Sequence, residues 1–230
     1  MRNGGVMCKL KVFIFVQRLV TWDSEAFQNP TTAQTLTLAV IGSGQMRYTA
    51  ILFLLLSISS CGQGTLTDHR EKERLGIEKQ ITTDKLIIWV KVKGQADLKK
   101  VIDQNWPDDI ETTYNIFKNQ RGQIIYVGEF PTSQSGDWTL GLKHYFGVNG
   151  KLISFEKRLS YFNEECTDGA VIETIIELYD NDFKVIKTTK TQTDNKGREL
   201  KVKDCGHAYN WTFDKRGTVN ELVQLKKIRL

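Results

Sequence analysis

Five turn signals divide the second half of this 230-residue chain, and they constrain its fold more than any other feature. They are Asn119-Gln120-Arg121-Gly122, Asn149-Gly150, Asp180-Asn181-Asp182, Asp194-Asn195-Lys196-Gly197 and Asp214-Lys215-Arg216-Gly217. Asn, Asp and Gly tolerate the positive φ that tight turns need, and Asn and Asp side chains also bond the turn backbone. Between these signals lie β-branched and aromatic runs: Glu111–Lys118, Gln123–Phe130, Thr139–Val148, Lys151–Asn163, Val171–Tyr179 and Phe183–Thr193. Leu86–Lys93 (LIIWVKVK) is a further run upstream, and Arg198–Phe213 and Thr218–Arg229 are expected to continue the pattern as strands. Loops this short join antiparallel neighbours, because a parallel crossover needs a dozen or more residues. The expectation is therefore a mostly β (or α+β) chain, an antiparallel meander of about 8–9 strands with one or two short helices.

Alternation indicates which faces are buried. Leu140, Leu142, His144, Phe146 and Val148 fall on every second position, apolar apart from the histidine. In the next run Ile153, Phe155, Leu159 and Tyr161 face one way, and Ser154, Glu156, Arg158 and Ser160 the other. One dry and one wet face suit an antiparallel sheet covered on one side or curled on itself. Strand number alone makes a lipocalin-like barrel the alternative, by analogy. One helix is expected at Gln95–Asn105, with Leu98, Val101 and Ile102 on a common face and Asn105-Trp106-Pro107 as its stop.

Upstream, Met46–Cys61 reads MRYTAILFLLLSISSC. Arg47 gives a cationic start, Thr49–Ser59 an apolar run, and Ser59 and Ser60 a small-residue pair before Cys61. A helix needs about 20 apolar residues to span a bilayer, so this run reads as the core of an export signal. The ending Ile58-Ser59-Ser60-Cys61 resembles the lipobox of bacterial lipoproteins, with Ile58 where that pattern prefers Leu. The resemblance implies that Cys61 is the lipid-attachment residue and the first residue of the mature chain. Acyl chains there would hold the protein in the membrane.

This reading divides the chain into a non-native upstream extension (1–45), a signal peptide (46–60), a lipid-anchored tether (61–83) with some helix around Asp68–Gln80, and a single β-rich domain (84–230). Residues 1–60 hold five of the 32 Lys/Arg and two of the 27 Asp/Glu, which leaves 27 basic against 25 acidic, or +2. A near-neutral chain with interspersed signs carries no footprint for nucleic acid. The implied location is the cell envelope of a Gram-negative-type bacterium. Gly62 stands where an Asp would mark inner-membrane retention, which favours the outer membrane.

The chemistry-bearing residues are few. With Cys8 discarded and Cys61 lipidated, Cys166 and Cys205 are the disulfide candidates: an oxidising compartment argues for a bridge, and their places in a simple meander argue less clearly. His69, His144 and His207 show no metal-ligand spacing, so no metal or other cofactor is expected. His144 on an apolar face and His207 beside Cys205 are weak pocket candidates, each more readily read as a structural residue. Acidic pairs at Asp108-Asp109 and Glu164-Glu165 have no fixed separation. Trp211, with Trp89, Trp106, Trp138, Tyr126, Tyr145 and Tyr209, either packs a core or lines a groove for glycans or apolar ligands. The expected role is binding or scaffolding of an envelope ligand or protein partner. The alternatives are a secreted hydrolase acting on glycan or peptide near His144 or His207, and a structural subunit of an envelope complex.

Overall fold

A computed structural model describes residues 65–200, 205–207, 209 and 211–229. Met46–Ser60, Cys61 and the upstream extension lie outside the described residues. Eight strands form one antiparallel sheet: β1 (Ile87–Val92), β2 (Lys99–Lys100), β3 (Ile110–Lys118), β4 (Ile124–Pro131), β5 (Trp138–Phe146), β6 (Leu152–Phe162), β7 (Ala170–Tyr179) and β8 (Val185–Thr193). Their spatial order is β2-β1-β3-β4-β5-β6-β7-β8, a meander as expected. Two helices accompany it, α1 (Leu66–Glu78) and α2 (Val219–Leu225). The sheet is open, with β2 and β8 as its edges, so the closed barrel considered above is not made. The outer edge strand β8 is polar and lysine-bearing, which discourages pairing with a second sheet.

The turn chemistry repeats as the sequence suggests. Asn119 Oδ1 accepts from the backbone N–H of Arg121 (2.9 Å) and Gln123 (3.0 Å). Asp180 Oδ1 does the same for Asp182 (2.8 Å) and Lys184 (2.9 Å), and Asp194 Oδ1 for Lys196 (2.8 Å) and Arg198 (2.9 Å). Gly122 (φ 76°) and Gly197 (φ 78°) take the left-handed position in the first and last of these turns. Phe183 takes it in the middle one at φ 61°, a conformation that costs a bulky residue about 1–3 kcal/mol. Its ring stacks on Tyr179, with centroids 5.1 Å apart.

Three expectations are corrected. Residues 95–105 are not a helix: Lys99 and Lys100 pair with Val90 and Trp89, and Asp103 and Gln104 take positive φ. The apolar spacing of Leu98, Val101 and Ile102 is overridden by pairing of Lys99 and Lys100 with β1. None of the described residues between Cys205 and Gly217 is in a strand. Thr218 does not open a strand but caps α2: its side chain accepts from Glu221 N–H, and Glu221 bonds back to the Thr218 N–H. Thr65 and Asp68 make the same reciprocal pair at the start of α1.

The expected tether contains α1, which is docked rather than free. Arg70 donates from Nε to the Tyr179 carbonyl (3.1 Å) and from Nη2 to Asn181 (2.7 Å), while Ile77 packs with Phe117, Ile125, Tyr126, Tyr145 and Ile153. This covers one face of the sheet. Ile153 belongs to this side rather than to the row of Phe155, because a bulge between Tyr145 and Phe146 makes it an extra residue in the ladder. Phe130 also lies on this face, its ring across Gly128, where an added Cβ would meet it at 2.7 Å.

The opposite face carries the larger core: Tyr114, Ile116, Val127, Leu140, Leu142, Phe155, Leu159 and Tyr161 among others, closed by the C-terminal segment and by Leu222 of α2. The sheet is therefore covered on both faces, but by unlike materials.

Candidate functional site: a cavity beneath the C-terminal segment

The larger core is roofed at one end by an irregular strap, Cys205–Gly217. Its start is tied to the sheet by several bonds. Cys205 forms a disulfide with Cys166, in the β6–β7 loop, with Cα atoms 6.0 Å apart. The Gln192 side chain accepts from the Cys205 N–H (3.2 Å) and donates to its carbonyl (3.0 Å). Tyr161 also donates its hydroxyl to that carbonyl, and Asn163 donates to the Gly206 carbonyl at 3.0 Å. At the far end Lys215 pairs with Glu177 (2.7 Å), and Leu152 N–H donates to the Gly217 carbonyl (2.9 Å).

Between these ties the strap does not fill the space beneath it. A cavity of about 150 Å³ is lined by Leu140, Lys157, His207, Tyr209, Trp211 and Phe213. The walls come from strand alternation: Trp138 and Leu140 on β5 and Phe155, Lys157, Leu159 and Tyr161 on β6 share one face. The Tyr209 and Trp211 rings stack (4.9 Å), and Trp138 meets Trp211 edge-on (5.0 Å). Tyr209 is turned by its hydroxyl, which donates to Asp137 Oδ2 at 2.8 Å.

The polar side of the cavity is a small ionic group. Lys157 Nζ lies 3.0 Å from Glu173 Oε1, and Lys190 Nζ lies 3.3 Å from Glu173 Oε2, which also accepts from Gln192 Nε2 at 3.2 Å. Burial on its own would raise the Glu173 pKa, but the hydrogen bonds and charges of Lys157 and Lys190 outweigh it and hold the carboxyl below its ordinary value. Glu173 is thus an anion at neutral pH. His207 Nε2 stands 4.0 Å from Glu173 Oε1, and its ring meets Tyr161 edge-on at 5.0 Å. The other nitrogen of His207, Nδ1, is buried with no hydrogen-bond partner among the described residues. A buried polar atom left in that state costs about 1–3 kcal/mol.

The sequence candidates separate on this map. His207 and Trp211 line the cavity, with Tyr209 beside them and Trp138 against Trp211. His144 does not. It is wholly buried, lies between Phe146 and Phe155 (6.4 and 5.0 Å), and its Nε2–H donates to the Asp214 carbonyl at 3.3 Å. Burial pushes its pKa down to about 4, so it is a neutral strut that pins the strap. The sulfur of Cys205 is bonded, which leaves no thiol to pair with His207. Tyr126 and Tyr145 pack together on the α1 face (5.4 Å). Trp89 belongs to the larger core, and Trp106, Asp108, Asp109, Glu164 and Glu165 do not line the cavity.

Lys157 and Glu173 were not among the sequence candidates, although a signal for both exists. Each is a charged residue interrupting an apolar alternation, Phe155-x-Lys157-x-Leu159 and Val171-x-Glu173-x-Ile175. A charge on a dry face has to find a partner, and these two find each other.

A wider cleft of about 450 Å³ lies beside Phe183, Lys151, Lys215 and Arg216. Its cations are already engaged: Lys215 by Glu177, Arg216 by Asp214 (3.5 Å) and Lys151 by the Asn181 carbonyl (2.8 Å). Among the described residues no group of three or more His, Cys, Asp or Glu is placed to hold a metal ion, and no helix is long and apolar enough to cross a membrane. Compared with models of protein families, with curated proteins and with solved structures, the chain matches none.

Proposed function

We propose that this chain is a lipid-anchored binding protein of the bacterial cell envelope, held by acylated Cys61, with the strap cavity as its ligand site. The observation that carries the binding role is the pairing of the stacked Tyr209 and Trp211 rings with Lys157 and His207 around one concave space. Small-molecule sites combine largely apolar walls with a few placed polar groups in this way. The cavity is smaller than the roughly 300–1,000 Å³ of drug-sized sites, so it takes one ring or the end of a longer molecule. Anchoring rests on the Met46–Cys61 pattern, and Gly62 favours the outer membrane. A domain docked so soon after Cys61, with α1 beginning at Leu66, would work close to the lipid surface.

Two measurements test the parts separately. Detergent phase partitioning of the native protein should place it in the detergent phase, and Cys61→Ser should move it to the aqueous phase; an unchanged partition sinks the anchor. Native mass spectrometry of the protein taken from its own envelope should show a bound small molecule that Trp211→Ala loses. A mass that matches the bare polypeptide at every stage of purification counts against the binding role.

A further inference from the structure

Four properties of the cavity bear on which molecule it holds. Its walls, Leu140, Tyr209, Trp211 and Phe213, present flat apolar surface to one side of an occupant. Its polar rim is Lys157 and His207. Among the described residues the charges around it balance, with Lys157 and Lys190 set against Glu173 and Asp137. Its volume, about 150 Å³, admits a single ring.

A purely apolar ring would strip water from the Lys157 ammonium without replacing it. A carboxylate would meet a lysine already engaged by Glu173 at 3.0 Å. A neutral ring with an apolar face and a hydroxyl rim satisfies both sides. Its C–H face lies on the aromatic walls. Its hydroxyls accept from Lys157, whose ammonium carries three N–H bonds, beside the His207 ring.

We infer that the cavity recognises one pyranose ring of an uncharged carbohydrate, held between the Tyr209–Trp211 wall and the Lys157–His207 rim. The inference rests on the binding role proposed above and names its ligand class. Tyr209 and Trp211 come from the strap and Lys157 from β6, so the site exists only while the strap is tied down at Cys205. Glu173 does not line the cavity and is a positioning residue: it sets the direction of Lys157 and neutralises it.

The test uses the purified full chain with its tryptophan indole N–H groups observed by NMR. Methyl glycosides of glucose, galactose and N-acetylglucosamine are titrated beside indole and hexanoate. At least one glycoside should shift the Trp138 and Trp211 signals saturably and leave those of Trp89 and Trp106 in place. Lys157→Met should weaken that binding about tenfold, the effect of losing one hydrogen bond from a charged donor. Arg121→Ala, in the β3–β4 turn, should leave it unchanged. Trp211→Ala should abolish the shift; circular dichroism reports whether that variant is folded, and Lys157→Met carries the test if it is not. Saturation by indole or hexanoate with none by the glycosides overturns the carbohydrate assignment and leaves the binding role standing. Saturation by no probe overturns both.

Discussion

The two faces of this sheet are made from the same strands by alternation, yet they are closed in opposite ways. Under α1 the seal adds a buried ionic network to the apolar cluster around Ile77. Arg74 reaches Glu71 (2.8 Å), Glu78 (3.0 Å) and Glu156 (3.4 Å), and Lys143 reaches Glu156 (2.9 Å) and Glu78 (3.4 Å). Tyr145 adds its hydroxyl to Glu78 at 3.2 Å. Burial opposes charge on Arg74, Lys143 and Glu156 alike, but their partners outweigh it: both bases are pushed up and Glu156 is held low. Under the strap the seal is mostly apolar, with the few charges gathered at the cavity rim and the segment ends. A regular helix can present Arg70, Arg74, Ile77 and Glu78 to the sheet at set intervals. An irregular strap has no such period, and the space it fails to fill is the candidate site. In this protein the charged interface is structural, and the apolar one has room for a ligand.

The largest expected effect breaks the ionic seal. Glu156→Ala leaves Arg74 and Lys143 facing each other without the carboxylate between them, and should cost about 3–5 kcal/mol in a denaturant titration. Exchanging Arg74, Lys143 and Glu156 together for Leu, Met and Leu should recover most of that loss, because the three most buried charges go together and the less buried Glu78 keeps the Tyr145 hydroxyl. If the triple variant is as unstable as Glu156→Ala, the network does more than satisfy itself.

Next comes the tie at the root of the strap. Cys166 and Cys205 are separated by 39 positions. Opening a loop of that size should cost up to about 4 kcal/mol. In Cys166→Ser/Cys205→Ser, amide exchange should rise first in the strap and only later under α1. Uniform acceleration over both faces would show that the faces are not independent.

The pH dependence has the same sign on both faces and separates them by its window. His144 has its pKa lowered to about 4 against an ordinary 6.5. Above about 6.5 it is neutral in the folded and unfolded chains. Between there and about 4 only the unfolded chain takes the proton, so stability falls, by about 3 kcal/mol in all. Glu156 is held below its ordinary 4.5, so its contribution is intact above that value and is lost as the pH drops below it. Stability measured from pH 7 downward should therefore decline first on account of the strap face, and His144→Phe should remove the early part of the slope. An unaltered profile in that variant would place the titrating group elsewhere.

The smallest effect compares the caps. Thr65→Ala and Thr218→Ala each remove one capping box and should each cost about 1 kcal/mol of thermal stability. Thr218→Ala should also loosen the strap end, which Thr65→Ala should not. Equal disturbance of the Trp211 indole signal by both would contradict that separation.

Much of the sheet is legible without coordinates. The strands from Ile110 to Thr193 and the turns at Asn119, Asn149, Asp180 and Asp194 follow from alternation and from side chains that bond their own turn, both of which act within a few residues. Both helix starts are written in the same local language, Thr65-x-x-Asp68 and Thr218-x-x-Glu221. The second also reads as a strand, because Leu222, Val223 and Ile228 suit either structure.

What tertiary structure alone decides is which charges and rings meet. The sequence places Lys157, Glu173 and His207 on separate segments, and antiparallel register sets the first two side by side, as Leu159 pairs with Glu173. The strap then lowers His207, Tyr209 and Trp211 onto them. Local chemistry determines a turn because its partners are neighbours in the chain. The cavity depends on partners more than seventy residues apart, such as Asp137 and Tyr209, whose meeting only the closed fold arranges.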